Sequence, residues 1–116
     1  MSRHDPLVTL RQMRDYALDG IAMIRGRSGA DLENEVMLRL ALERVVTVVG
    51  EAAARLSTEF RESHPEVPWP LMIGMRNRLV HGYDDVALAT LWETASQSLP
   101  ALVSQLDAIL GDGGNG

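Results

Sequence analysis

The chain has 116 residues, which suits a single domain that buries its own core. It contains no cysteine, which excludes disulfides, thiolate nucleophiles and cysteine-ligated zinc and fits a reducing compartment. Its formal net charge is −5 and all eleven basic residues are arginine, so lysine Schiff-base and P-loop chemistry are excluded, and a broad nucleic-acid-coating surface is disfavoured.

The stretch Met1-Ser2-Arg3-His4-Asp5-Pro6 lacks the apolar core of a signal peptide. No apolar run approaches the roughly 18 residues that span a bilayer. The expectation is a soluble, cytoplasmic protein with no membrane partner. Strand-like alternation is nearly absent, and Leu, Ala, Arg, Glu and Met all favour helices. Four principal helices and a short fifth are predicted.

The first begins at Asp5-Pro6, an N-cap followed by proline at the first helical position. Leu7, Leu10, Ala17, Ile21 and Ile24 recur at helical spacing behind it. The Gly26 to Gly29 stretch ends it. Asp31 reads as the N-cap of a second helix running to about Ser57, with an apolar stripe of Val36, Leu40, Val45, Val48, Val49 and Ala52 and a possible bend near Gly50. A short helical turn follows over Thr58 to Ser63. Pro65, Pro68 and Pro70 predict an irregular connection through Trp69. Leu71 to about Val80 reads as helix again, with Gly82 marking its end. The last helix is expected from about Val86 to Leu110, with Leu88, Leu91, Trp92 and Ala95 inward and Pro100 kinking or restarting it. The expected architecture is all-α, an antiparallel helical bundle over residues 1–110, followed by a flexible tail over 111–116.

Chemistry concentrates in Arg76-Asn77-Arg78-Leu79-Val80-His81-Gly82-Tyr83. Histidine moves protons near neutral pH, and arginine binds phosphate through a planar fork. RNA carries its own nucleophile, the 2′-hydroxyl, so a ribonuclease needs little more than a proton-transfer group and a phosphate-holding cation. Arg76 and His81 supply that minimum. Five residues turn a helix by about 500°, roughly 140° net, so the pair does not share one face of a regular helix. They converge if the chain turns at Gly82 or if two copies of the segment meet. Asn77 lies one turn before His81 and could orient it or bind a phosphate oxygen. On residue types alone, an Arg, a His and a Tyr at a helix end could equally cap carbonyls and complement the dipole.

The other candidates are weaker. His4 lies near the terminus, and His64 reads as a turn residue. The three histidines show no metal-ligand spacing. Glu51 could contact the Arg-His region, although a solvated helix position is the simpler reading. Trp69 and Trp92 read as core or interface anchors.

The segment Arg76 to Tyr83 matches the Arg-x4-His-x-Tyr motif of HepT-like toxins in the HEPN superfamily. Gly50-Glu51-Ala52-Ala53, Val67-Pro68-Trp69, Gly74-Met75-Arg76-Asn77 and Leu99-Pro100-Ala101-Leu102 resemble further blocks of that family, in order, over approximately residues 7 to 110. The resemblance implies a homodimeric HEPN bundle and a metal-independent RNA endonuclease without a cofactor. Arg76 and His81 would be catalytic, with Asn77 and Arg78 supporting phosphate binding. It also implies the toxin role of a type VII toxin–antitoxin pair, neutralised by a minimal (MNT-type) nucleotidyltransferase that transfers AMP to Tyr83. The alternatives are a non-catalytic module that binds nucleotide or the nucleotidyltransferase, and a plain structural bundle.

Overall fold

Asp5 caps the first helix as its sequence predicts: its carboxylate accepts from the Leu7 N–H at 2.9 Å, with Pro6 at the first helical position. The computed structural model describes residues 5–80 and 87–111, and the statements that follow concern these. Seven α-helices run through them: α1 (Pro6–Met23), α2 (Asp31–Asn34), α3 (Val36–Arg55), α4 (Thr58–Glu62), α5 (Trp69–Val80), α6 (Leu88–Glu93) and α7 (Leu99–Leu110). A five-residue π-helical turn, Thr94–Ser98, joins α6 to α7. The all-α expectation holds. His4, Gly82, Val86 and residues 112–116 of the expected tail lie outside the described residues.

Helix α3 is the central element. It packs against α1 on one side and α5 on the other, and α1 also packs against α7. Pro6 and Thr9 of early α1 lie beside Arg55 and Leu56 at the end of α3, whereas Gly20 of late α1 meets Leu42 and Val45, so the pair is antiparallel. Gly20 also meets Leu99, and Arg14 forms a 3.0 Å ion pair with Asp107, so α1 and α7 are antiparallel too. Leu10, Met13, Ala17, Leu42, Val45, Val49, Leu91, Leu102 and Leu106 fill the shared core.

Several sequence expectations need correction. The second helix is two helices, because Glu35 adopts an extended backbone between α2 and α3 (φ −118°, ψ 92°). Asp31 is not an N-cap. It is the first residue of α2, and its carboxylate accepts from the Ser28 N–H at 2.8 Å, closing the preceding turn. Val36 and Leu40 do not join the buried stripe: each is more than half exposed, because the covered face of α3 is the one carrying Leu38, Leu42, Val45 and Val49. Helix α3 runs unbroken through Gly50. Helix α5 begins at Trp69 rather than Leu71, since a proline at the second position loses no intrahelical hydrogen bond. Trp69 is buried, and its indole N–H donates to the carbonyls of Arg61 and His64 at 3.1 and 3.0 Å, so it anchors the start of α5.

Pro100 acts on the turn before it. A proline there lacks the N–H that would reach the Ser96 carbonyl, and its ring crowds that oxygen. The chain widens over Thr94–Ser98 instead, and the Leu99 N–H reaches back five residues to Thr94. Thr94 and Ser96 hydroxyls donate to the carbonyls of Thr90 and Trp92, both at 2.8 Å, satisfying acceptors in the disturbed stretch.

Gly50 sets the separation of α3 and α5. A Cβ there would overlap the Arg76 Cβ and lie 2.6 Å from the Met72 carbonyl oxygen, so the two backbones touch. Gly74, on α5, has nothing within 4 Å of an added Cβ. The two glycines should therefore respond oppositely to alanine. Gly74→Ala should gain about 1 kcal/mol from helix propensity. Gly50→Ala should lose roughly 1–2 kcal/mol, because overpacking against backbone outweighs the same propensity gain. Urea denaturation midpoints check this, and stabilisation by Gly50→Ala would contradict the close packing.

Candidate active site on helix α5

Helix α5 presents its functional residues because only one of its faces is covered. Trp69 and Met75 are its buried residues, and Met72 and Met75 line a small apolar cavity with Val46 and Val49 of α3 and Leu99 and Leu102 of α7. Arg76 follows Met75 directly, so it emerges at the edge of this apolar seam, where Gly50 lets α5 lie on α3.

The Arg76 side chain is 30% exposed, and three contacts or enclosures define it. Its Nη1 donates to the Asn77 Oδ1 at 2.6 Å. Its Nη2 lies 3.9 Å from the Glu51 Oε2. Its Nε is enclosed and has no hydrogen-bond partner among the described residues. The Asn77 bond is short and charge-assisted, and it fixes one arm of the guanidinium. The Glu51 carboxylate stands too far for a hydrogen bond but close enough to attract the other arm. The cation is thus steered while, among the described residues, no carboxylate occupies its Nη2 arm by a direct hydrogen bond, an arrangement suited to taking up a phosphate.

The structure brings Arg76, Asn77 and Glu51 together. Arg78 is exposed on α5, two residues on. His81 and Tyr83, the expected proton-transfer and modification residues, lie outside the described residues, as does the turn at Gly82. His64, read as a turn residue, sits at the end of α4. Its Nδ1 is 3.6 Å from Glu66 and its ring is 4.8 Å from that of Phe60. Among the described residues, no three His, Cys, Asp or Glu side chains gather into a metal-binding group, and no helix is long and apolar enough to cross a membrane.

The sequence left Glu51 two readings, contact with the Arg-His region or the simpler solvated position; its partly exposed carboxylate faces Arg76, the first of them. The signal was the adjacent Gly50. A glycine in the middle of a helix costs stability, and its usual return is close approach by another backbone. That approach carries Glu51, the next residue, to the partner helix.

A family model described as "Ribonuclease HepT-like" matches residues 6–109. "Putative RNase TTE0752" from Caldanaerobacter subterraneus subsp. tengcongensis is 38% identical over 90 residues, covering 78% of this chain and 80% of that protein. "Putative RNase MJ1380" from Methanocaldococcus jannaschii is 29% identical over 109 residues, covering 94% of this chain and all of that protein. "Probable ribonuclease HepT" from Thermococcus cleftensis is 32% identical over 71 residues, covering 61% of this chain and 64% of that protein. No solved structure matches the chain at a significant level. The family match takes in α1 through nearly all of α7 and includes the whole Arg76 to Tyr83 segment, so the chain belongs to the HepT-like ribonuclease family.

Proposed function

We propose that this chain is a HepT-like toxin that cuts RNA without a metal or cofactor, using Arg76 and His81. The observation that carries this reading is the guanidinium of Arg76, anchored by Asn77 and paired with Glu51 only at 3.9 Å, within a segment that keeps every motif residue. His81, as neutral imidazole, takes the proton of the 2′-hydroxyl. The freed oxygen attacks the adjacent phosphorus, the bond to the 5′-oxygen breaks, and a 2′,3′-cyclic phosphate forms. Arg76, assisted by Asn77 and Arg78, stabilises the charge that builds on the phosphoryl oxygens.

A homodimer completes this site. Two copies of His81 across one cleft, one neutral and one protonated, would take the 2′-hydroxyl proton and give one to the departing 5′-oxygen. Two copies of Arg76 and Arg78 would concentrate positive charge on a chain of net charge −5. Exposed apolar residues support association: Val36, Met37 and Leu40 on α3, and Leu71 and Val80 on α5, with Met37 85% exposed.

In the toxin–antitoxin reading, the partner is a minimal nucleotidyltransferase. The Tyr83 phenolic oxygen attacks the α-phosphorus of ATP, losing its proton, and pyrophosphate leaves. The added AMP places negative charge and bulk two residues from His81, where an RNA phosphate would bind, so entry is opposed by both repulsion and blockage.

Cleavage of a single-stranded RNA by the unmodified protein should fall at least about a hundredfold in Arg76→Ala and in His81→Ala. A 2′-deoxy residue at the scissile position should abolish cleavage. Equal cleavage by all three proteins would sink the nuclease reading, and binding of nucleotide or partner without cleavage would favour the non-catalytic module. For the switch, intact mass after co-expression with the nucleotidyltransferase should rise by one AMP, and Tyr83→Phe should remove that gain. Persistence of the gain in Tyr83→Phe would place the modification elsewhere.

A further inference from the structure

We propose that Glu51 is a positioning residue that sets the orientation of the Arg76 guanidinium from the neighbouring helix. Three observations on two helices meet at this point. Gly50 removes the side chain that would separate α3 from α5, and its missing Cβ is filled by the Arg76 Cβ and Cγ and the Met72 carbonyl. The next residue, Glu51, therefore has its carboxylate 3.9 Å from the Arg76 Nη2. Asn77, on α5 itself, holds the opposite arm through the 2.6 Å bond to Nη1. The guanidinium plane is thus defined from both of its ends.

Neither contact alone defines it. Asn77 fixes one nitrogen, about which the long arginine side chain could still swing. Glu51 pulls the second nitrogen toward α3. Because Nε is enclosed, rotation about the terminal bonds is also limited by packing. A planar fork that is already oriented loses less freedom when it binds phosphate.

The 3.9 Å gap matters as much as the contact. A carboxylate in direct bidentate contact would occupy the fork and repel an incoming phosphate. At this distance Glu51 attracts the cation yet leaves its hydrogen-bonding edge uncommitted on the Nη2 side. Its cost is a mild repulsion of bound RNA, and its benefit is geometry at the moment charge develops. A residue of this kind acts on turnover rather than on substrate affinity. The catalytic consequence rests on the ribonuclease reading above, whereas the contact itself does not.

The test uses the full chain, with Glu51→Gln, which keeps length and removes charge, and Glu51→Asp, which keeps charge and retracts it. Glu51 is 37% exposed, so both variants should fold, as thermal melts will show. On an RNA substrate Glu51→Gln should lower kcat about tenfold with KM within about twofold, and Glu51→Asp should recover part of the loss. The pH–rate profile should keep both limbs in Glu51→Gln. An unchanged kcat, a rise in KM alone, or loss of one limb, which would mark Glu51 as a proton-transfer group, would each overturn the assignment. Side-chain nitrogen NMR of arginine-labelled protein supplies a readout without turnover. The Arg76 Nε–H resonance, identified by its loss in Arg76→Ala, should shift and exchange faster in Glu51→Gln. An unmoved resonance overturns the positioning role. If the wild type cleaves no RNA, the nuclease reading fails while this spectrum still decides whether Glu51 holds Arg76.

Discussion

The backbone contact between α3 and α5 at Gly50 is the constraint on which the rest of the site depends. Arg76 is a long side chain on a helix with one covered face, and left to itself it would sweep a wide cone. Its position is defined because α5 lies directly on α3, with no side chain between Gly50 and the Met72 carbonyl. Closeness here is a property of an absent group. Apolar residues on either side, Val46 and Val49 on α3 and Met72 and Met75 on α5, line one apolar cavity and are withdrawn from water as the helices approach. Packing thereby does work that reads out as electrostatics, since the same approach brings Glu51 up to the guanidinium.

The remaining helices hold α3 still. Helix α1 lies antiparallel to both α3 and α7, and Gly20 is the point where all three meet: a Cβ there would press on Leu99, Val45 and Leu42. The Arg14–Asp107 pair bridges the α1–α7 seam at its partly buried edge, where it fixes register more than it adds stability. The π-helical turn at Thr94–Ser98 shifts the phase between α6 and α7. Leu91 faces the core before it, Ala95 within it, and Leu99, Leu102 and Leu106 after it. A proline that would break a regular helix is thus used to keep one apolar stripe aligned along a long element.

The helices were legible in the sequence wherever their signals were local. The Asp5-Pro6 cap and the inward Leu91 and Ala95 follow from one or two turns of chain. What was not legible depended on neighbours. Val36 and Leu40 have helical spacing and apolar character, yet they lie across the helix from Leu38, Leu42 and Val45, the face the neighbours cover. Met13 fills the core between Leu10 and Ala17 at the same spacing, although it did not stand out beside the aliphatic residues. Asp31 has the chemistry of an N-cap, but the Ser28–Asp31 turn claims its carboxylate first. Glu51 was the costliest case. A glutamate on a helix is solvated by default, and only the contact made by the preceding glycine assigns it a partner.

The site also resolves the tension between an acidic chain and a phosphate-bearing substrate. A net charge of −5 repels RNA at long range, but salt screens that repulsion beyond roughly 8 Å under physiological conditions. Within that distance the relevant quantity is the local arrangement, and there the described residues offer a guanidinium with one arm fixed by Asn77 and the Glu51 carboxylate 3.9 Å from the other. Long-range repulsion with short-range attraction weakens indiscriminate binding to nucleic acid and leaves productive binding to geometry.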